Sequence, residues 1–254
     1  MVICVLLPLL ALRAALGDAR NRLREPIALA PQHDGARLIG EVSPAAHALG
    51  VRSGMGLGEA TDICPELELI APDPTRAEAI HEAVLRRLEG IGAGVESERS
   101  GEAFFTASEI ERLYGGLDGV LEATRRRLGP NPLLAAAPTR LGAFAAARTG
   151  GPDSAAIVSP EELLAYLAAL PVTILSGRLG MPMTRERELL RSMDRLGLVR
   201  LGDLTALSRD HVADRLGPSG SRARELALGK ETPILARSPH EQMAEEVDLP
   251  EAAA

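Results

Sequence analysis

The alternation of strand-like and helix-like segments constrains the fold of this chain more than any other feature of its sequence. Residues 1–7 form an apolar run without polar alternation, which is typical of a central strand buried on both faces. Pro8 then favours the first turn of a helix, which is predicted over residues 8–24. Further strands are predicted at 93–97, 102–106, 133–137 and 155–158, with helical segments between most of them. This β-α-β-β-α-β succession predicts an α+β fold with a ferredoxin-like sheet covered by helices.

The helix with the strongest signals is predicted from Asp73 to Gly90. Asp73 is a favourable N-cap, and Pro74 suits the first helical position. Apolar residues then recur at helical spacing at Ala77, Ile80, Val84 and Leu88. Beyond Pro171 no further strand is predicted, so the rest of the chain is expected to be helical.

Composition narrows the function classes. Aromatic residues make up only 2% of the chain, so the core must consist of Leu, Val, Ile and Ala, and aromatic platforms for base stacking are nearly absent. The net charge of −7 argues against a basic nucleic-acid coat protein.

Cys4 and Cys64 are too few for a disulfide scaffold and have no metal-ligand spacing, which favours a reduced, cytoplasmic setting. Arg13 interrupts the N-terminal apolar run well before the roughly 20 residues that a membrane span needs.

Positive charge is concentrated in one segment. Residues 171–237 contain twelve basic and eight acidic residues, whereas residues 238–254 contain five acids and no Lys or Arg. One interpretation is a nucleic-acid contact, with Arg195, Arg200, Arg222 and Arg224 as candidates for gripping DNA phosphates beside a glycine-containing turn at 197–204. The alternative is that Arg and Glu alternate on solvated helix faces and that the turn is structural.

Common catalytic motifs are missing. The five histidines share no short spacing, so the sequence predicts no metal site and no histidine-based catalysis. The sequence also contains no P-loop, no G-x-S-x-G elbow and no dinucleotide fingerprint.

Several short segments, in order along nearly the whole chain, resemble the Y-family DNA polymerases. These segments are 50–55 (GVRSGM), 64–67 (CPEL), 95–96 with 102–104 (VE…EAF), 113–116 (LYGG), 170–172 (LPV) and 196–204 (LGLVRLGDL). The resemblance implies a polymerase palm at 1–16 and 74–170, an inserted small fingers domain at 17–73, and an all-helical thumb at 171–237. It also implies that 238–254 is an acidic linker and that the little finger domain is absent from these residues.

The departures from that family concern its metal ligands. Nucleotidyl transfer uses two Mg²⁺ ions about 4 Å apart that are held by carboxylates. The resemblance places Leu6 where the family has its first Asp, and Gly101 where it has the second, so that only Glu102 is retained. These positions predict a chain that is not an enzyme and needs no cofactor.

The expected nucleotide contacts are also altered. Pro44 and His47 stand where the family has a Tyr and an Arg that contact the triphosphate, and Arg140 lies near the position of a conserved family Lys. These three residues are interpreted as a remnant of the nucleotide site.

An apolar first strand that ends in Leu-Pro resembles the catalytically degenerate ImuB group within the Y-family. This resemblance implies a non-catalytic DNA-binding adaptor in error-prone translesion synthesis and damage-induced mutagenesis. Its implied partners are primer-template DNA, an error-prone C-family polymerase and a RecA-like accessory protein, with the sliding clamp contacted through sequence beyond this chain.

Two alternatives stay open. The chain could be an active Y-family polymerase with an atypical Mg²⁺ site in which Glu96 or Glu98 acts with Glu102. It could also be a fragmentary product with no cellular role.

Overall fold

The structure is a computed structural model that describes residues 1–32, 37–129, 132–151 and 155–238. The strands are β1 (Val2–Leu6), β2 (Ile27–Leu29), β3 (Glu68–Ile70), β4 (Glu96–Arg99), β5 (Glu102–Thr106), β6 (Leu133–Ala137) and β7 (Ala156–Ile157). The helices are α1 (Leu10–Leu16), α2 (Pro44–Ala48), α3 (Leu57–Ile63), α4 (Pro74–Glu89), α5 (Glu111–Tyr114), α6 (Leu117–Leu128), α7 (Arg140–Thr149), α8 (Leu163–Ala169), α9 (Met183–Arg195), α10 (Leu201–Ala206) and α11 (Arg209–Ala227). This mixture confirms the predicted α+β class.

Strand β1 lies at the centre of a five-stranded main sheet with the order β4-β5-β1-β6-β7. It pairs antiparallel with both β5 and β6, while β7 pairs parallel with β6. Ile3 and Val5 face a core formed with α4 and α6, and Cys4 faces a second core formed with α7 and the later helices. Both faces of β1 are therefore buried, which explains why its sequence lacks polar alternation.

Helix α4 begins and ends almost as its sequence signals predict. The Asp73 carboxylate accepts a hydrogen bond from the backbone N–H of Arg76, and Pro74 is the first helical residue. Ala77, Val84 and Leu88 are buried, and Val84 and Leu88 belong to the apolar core between α4 and the main sheet. Among the helices described, none is both long and apolar enough to cross a lipid bilayer.

The segment after β1 differs from the prediction of one continuous helix. Helix α1 ends at Leu16, and Gly17 adopts a positive φ of 59°. Residues Arg20–Arg24 then form a separate 3₁₀ helix. Glycine at this position ends the helix because it adopts a left-handed backbone conformation without steric cost.

Residues between α1 and α4 form a small body with its own core. Strands β2 and β3 pair in parallel, and α2 and α3 pack around Ala28, Ile39, Val51 and Ala60. Strand β3 is not predicted from the sequence.

The helices from α8 to α11 share one core with α7 and one face of the main sheet. Helix α11 is interrupted at Gly217, where φ is 66° and ψ is −163°, and Pro218 follows directly. After α11 the chain returns to the main sheet, where the backbone N–H of Arg237 donates to the carbonyl of Val95 at 2.8 Å. The acidic tail predicted at 238–254 lies outside the described residues except for Ser238.

Candidate functional site

A cleft of about 450 Å³ lies where the beginning of β5 meets the helical part of the chain. Its charged lining is formed by Glu96, Glu98, Arg99, Glu102, Arg140, Arg178, Arg222, Glu231 and Arg237. Strands β4 and β5 supply the first carboxylates, and the arginines come from β4, α7, the loop before α9, α11 and the segment after it. The cleft is therefore a place where many opposite charges meet.

The positions singled out by the sequence converge at one end of β1. Leu6 is the register partner of Glu102, and the backbone N–H of Leu7 donates to the carbonyl of Gly101 at 2.8 Å. Gly101 adopts a φ of 86°, a conformation that side-chain-bearing residues rarely take. Leu6, Gly101 and Glu102, the three positions that the resemblance singled out, thus lie close together, and the backbone at Gly101 favours glycine.

Glu102 is held by an arginine from a distant part of the chain. The Nη2 group of Arg178 donates to both carboxylate oxygens of Glu102, at 2.9 and 2.8 Å. The guanidinium carbon also lies 3.2 Å from the centre of the Phe144 ring. Burial lowers the pKa of Arg178, while Glu102 acts in the opposite direction. The ion pair is well shielded, since the two side chains are only 12% and 16% exposed.

A second buried pair involves two residues that the sequence analysis considered separately. Arg140 forms an ion pair with Glu96, and its Nη2 group donates to the carbonyl and hydroxyl of Thr232 at 2.9 and 2.8 Å. The other oxygen of Glu96 accepts from the backbone N–H of Leu235 at 2.6 Å. Glu98, the other alternative carboxylate, is exposed on β4.

His81 is a site residue that the sequence analysis missed. Its Nδ1 atom accepts a hydrogen bond from the backbone N–H of Gly101 at 3.2 Å, and its Nε2 atom lies 2.9 Å from the Ser97 hydroxyl. That hydroxyl donates in turn to the carbonyl of Glu102 at 2.7 Å, so Nε2 carries the proton of a neutral ring. Burial lowers the pKa of His81. The sequence signal was present, because position 81 lies on the buried stripe of the predicted α4.

The small body places the other predicted nucleotide contacts at its surface. Pro44 is the first residue of α2, and both Pro44 and His47 are exposed. Glu41, which the sequence analysis did not identify, accepts a hydrogen bond from the backbone N–H of Leu12 at 2.8 Å in the first turn of α1. Burial raises the pKa of Glu41, and its backbone hydrogen bonds to α1 oppose that rise.

The four arginines predicted to grip DNA have different surroundings. Arg195 and Arg200 are exposed at the turn between α9 and α10. Arg222 lines the cleft, and its Nη1 atom lies 3.5 Å from the Oε2 atom of Glu225. The Nε group of Arg224 donates to the carbonyl of Leu207 at 3.0 Å, which ties α11 to the end of α10. Arg224 therefore already has structural hydrogen-bond partners, whereas Arg195 and Arg200 are exposed to solvent.

Comparisons with known proteins complete the description of the site. A sequence model described as the IMS: impB/mucB/samB family matches residues 14–148, more than half of the chain. A protein named DNA polymerase IV from Ralstonia nicotianae is 26% identical over 216 residues, 84% of this chain and 58% of that protein. A DNA polymerase IV from Halorhodospira halophila is 30% identical over 188 residues, 71% of this chain and 50% of that protein. The chain thus spans little more than half the length of these relatives.

The fold is similar to that of a solved polymerase-family structure. The crystal structure of DinB from Sulfolobus solfataricus matches with a TM-score of 0.73 and 18% identity, over 92% of this chain and 68% of that chain. At this identity the match concerns the fold alone, and it agrees with the predicted resemblance to the Y-family.

Two expectations from the sequence are corrected by these relatives. The interpretation of the chain as a protein that is not an enzyme is contradicted, because the curated relatives are named as polymerases. The expectation that no cofactor is needed is contradicted with it, since polymerases depend on divalent metal ions.

The cleft residues do not fit a metal pair in the arrangement that the structure gives them. Both oxygens of Glu102 are engaged by Arg178, and the apolar Leu6 is its register partner on β1. Within the described part of the chain, no three His, Cys, Asp or Glu side chains are grouped so as to hold a metal ion. The arginine side chains of the cleft can bind an anion, and Arg140, Arg178 and Arg237 already form ion pairs with glutamates.

Proposed function

This chain belongs to the impB/mucB/samB family of Y-family DNA polymerase-like proteins, and we propose on that basis that it binds primer-template DNA as part of a translesion polymerase. The observation that carries the proposal is the cleft and its five arginines. This cleft lies in a fold whose similarity to the solved structure covers 92% of the chain. Arginine presents a planar fork of donors that matches phosphate oxygens, and phosphate contacts position a protein on DNA without regard to base sequence.

The proposed division into domains follows the family resemblance. We assign the main sheet with α4, α6 and α7 to a palm (1–16 and 74–170), the small body to fingers (17–73), and the helices from residue 171 onward to a thumb (171–237). The separate apolar core of the small body supports the palm–fingers boundary. The proposed thumb shares one apolar core with α7 and one face of the main sheet, so the boundary at 171 is proposed from the resemblance alone.

The first experiment is DNA binding by the purified chain. We expect a fluorescently labelled primer-template to bind with an affinity that falls steeply as salt increases, because each phosphate contact releases a counterion. Replacing Arg195, Arg200 and Arg222 with Gln should weaken that binding, whereas a variant of Arg126, an exposed arginine on α6, serves as the matched control. Absence of binding even at low salt would refute the proposal and would favour a fragment without a cellular role.

The second experiment is primer extension with Mg²⁺ or Mn²⁺ beside a known active polymerase. The names of the curated relatives favour extension. The extended product would establish the enzymatic part of the proposal on this chain itself, and its absence with a working control would confine the proposal to DNA binding.

A second candidate function is a DNA-binding adaptor of the ImuB kind in damage-induced mutagenesis. One observation favours it: the acid retained at the start of β5, Glu102, is neutralised by Arg178. Its proposed partners are an error-prone C-family polymerase and a RecA-like accessory protein, with the sliding clamp contacted through further sequence. Retention of a C-family polymerase on bead-bound primer-template only when this chain is present would support recruitment.

A further inference from the structure

We propose that Arg178 is an exchangeable phosphate-binding residue, which pairs with Glu102 in the free protein and transfers to a DNA backbone phosphate when DNA enters the cleft. The inference rests on the proposed DNA-binding function and adds a regulatory contact to the same site. In this scheme Glu102 acts as an internal competitor of the phosphate.

The hydrogen bonding of Arg178 is incomplete in the free protein. Its Nη2 group donates to both oxygens of Glu102, while its Nε atom is buried and has no hydrogen-bond partner among the residues that the structure describes. A buried donor without an acceptor is unfavourable, and an oxyanion beside the Nε and Nη2 edge would satisfy it. The Nε–H group of Arg178 is therefore a donor that an additional anionic oxygen could satisfy.

The backbone that carries Arg178 is fixed independently of Glu102. The carboxylate of Glu186 is buried and accepts the backbone N–H groups of Gly177 at 2.6 Å and of Arg178 at 3.2 Å. This contact anchors the loop to the first turn of α9. Transfer of Arg178 between the two partners thus requires a rotation of its side chain and no movement of the helical region.

The surroundings favour an anion over a cation as the entering ligand. Five arginines and four glutamates line the cleft, and among these arginines Arg140 is already paired with Glu96. Burial lowers the pKa of Arg178, and the nearby charge of Arg99 lowers it further. An anion beside Arg178 relieves its repulsion with Arg99, whereas Glu102 supplies only one negative charge to Arg178. A phosphodiester is the anion that a DNA-binding cleft meets most often.

The test is a double-mutant cycle on DNA affinity with the full chain and a primer-template duplex. Glu102→Gln removes the competing charge while keeping an oxygen that accepts from Arg178. We expect this variant to bind DNA more tightly than the wild type at every salt concentration. The matched control is Glu122→Gln, which removes one negative charge from the exposed Arg126–Glu122 pair on α6 and should not change the affinity to the same extent.

The cycle is completed by Arg178→Gln and by the double variant. Arg178→Gln should reduce the slope of log affinity against log salt by about 0.9, the value for one phosphate contact. The gain from Glu102→Gln should vanish when Arg178 is also replaced. An increase in DNA affinity that persists in the double variant would contradict the proposed exchange of Arg178 between Glu102 and phosphate. So would an increase equal to that of Glu122→Gln.

Two further measurements test the inference if a variant fails to fold or if the phosphate comes from a nucleotide. If Glu102→Gln fails to fold, the salt slope of Arg178→Gln alone decides, and an unchanged slope counts against the inference. The same titration with a deoxynucleoside triphosphate separates the two sources of phosphate, and a gain confined to the nucleotide would overturn the assignment to DNA. Failure of the wild type to bind DNA refutes the proposed function, whereas binding without coupling between Arg178 and Glu102 refutes only this inference.

Discussion

Arginine rather than lysine neutralises the carboxylates around the cleft. Of the 28 cationic side chains only Lys230 is a lysine. Glu102 and Glu96 are each paired with an arginine, and both pairs are largely shielded from solvent. Arginine suits such places because its planar fork supplies several donors while its charge persists on burial. Removing one partner of a shielded pair leaves the other charge uncompensated, so these contacts are sensitive to single substitutions.

Acid should destabilise the protein through His81. Its Nδ1 atom accepts from Gly101, so a proton there would face the N–H of the turn. Burial lowers the pKa of His81 below its ordinary 6.5, and Arg237 lowers it further, while Glu78 and Glu82 oppose this. Between these two pKa values the unfolded chain binds more protons than the folded chain, so the free energy of unfolding falls as the pH drops below about 6.5. A folded-state pKa that lies one pH unit below the unfolded value corresponds to about 1.4 kcal/mol in the free energy of unfolding.

Urea unfolding at several pH values between about 7.5 and 5.5 measures this effect. The variant His81→Gln should have a lower stability at neutral pH and a flatter pH dependence in that window. His47 is exposed, and His47→Gln should follow the wild-type curve. A wild-type curve that is flat across the window would show that His81 does not couple to folding.

At the level of elements, local signals identified those helices and strands whose ends are marked by their own residues. Helix α4 is an example, because Asp73 and Pro74 define its start. The predicted helix after β1 was too long, since the sequence does not reveal that Gly17 adopts a positive φ. Strand β3 was missed because its three residues become a strand only by pairing with β2.

The interruption of α11 leads to a prediction about one glycine. Gly217 has a φ of 66° and a ψ of −163°, a combination that is essentially restricted to glycine. A Cβ atom there would meet nothing within 4 Å in the described part of the chain, so Gly217→Ala should destabilise the protein through backbone strain, by about 1–3 kcal/mol. Thermal or urea unfolding measures the change.

Gly58 in α3 is the matched control for that experiment. A Cβ atom at Gly58 also meets nothing within 4 Å, but its backbone has no positive φ. Alanine is the better helix former, so Gly58→Ala should be neutral or stabilising by up to about 1 kcal/mol. Equal effects of the two substitutions would show that a side chain at position 217 does not strain the backbone of α11.

At the scale of the whole molecule, the family resemblance singled out Leu6 and Glu102 but gave no partner for either. The β1–β5 register makes these two residues neighbours. The partner of Glu102 could not be predicted, because Arg178 lies 76 positions away and reaches it only through the packing of the helices on the sheet. The same holds for Arg140 and Thr232, which are 92 positions apart. Ion pairs of this range depend on the complete fold and have no local sequence signal.

The segment from residue 230 to 237 connects the helical part of the chain back to the main sheet, and one arginine dominates this connection. The guanidinium of Arg237 donates to Glu82 at 2.6 and 3.0 Å and to Glu89 at 2.7 and 3.1 Å on α4. These hydrogen bonds lower the pKa of Glu82 to about 2. Because both carboxylates lie on one helix face, the Arg237 side chain ties the end of the segment to α4, in addition to the contacts of Thr232 with Arg140 and of Leu235 with Glu96.

Arg237→Gln should therefore release this segment while leaving the rest of the fold intact. Hydrogen exchange reports the release directly, because the backbone N–H groups of Leu235 and Arg237 donate to Glu96 and to Val95. The Arg237 side chain is 26% exposed, so solvent reduces the contribution of its ion pairs, and we expect roughly tenfold faster exchange at these two amides, about 1.4 kcal/mol. Arg126→Gln, which breaks a largely exposed pair on α6, should leave the exchange unchanged. Uniformly faster exchange in β1 and β5 as well would mean that the segment stabilises the whole sheet, whereas unchanged exchange at Leu235 would assign the anchoring to Glu96 and Arg140 instead.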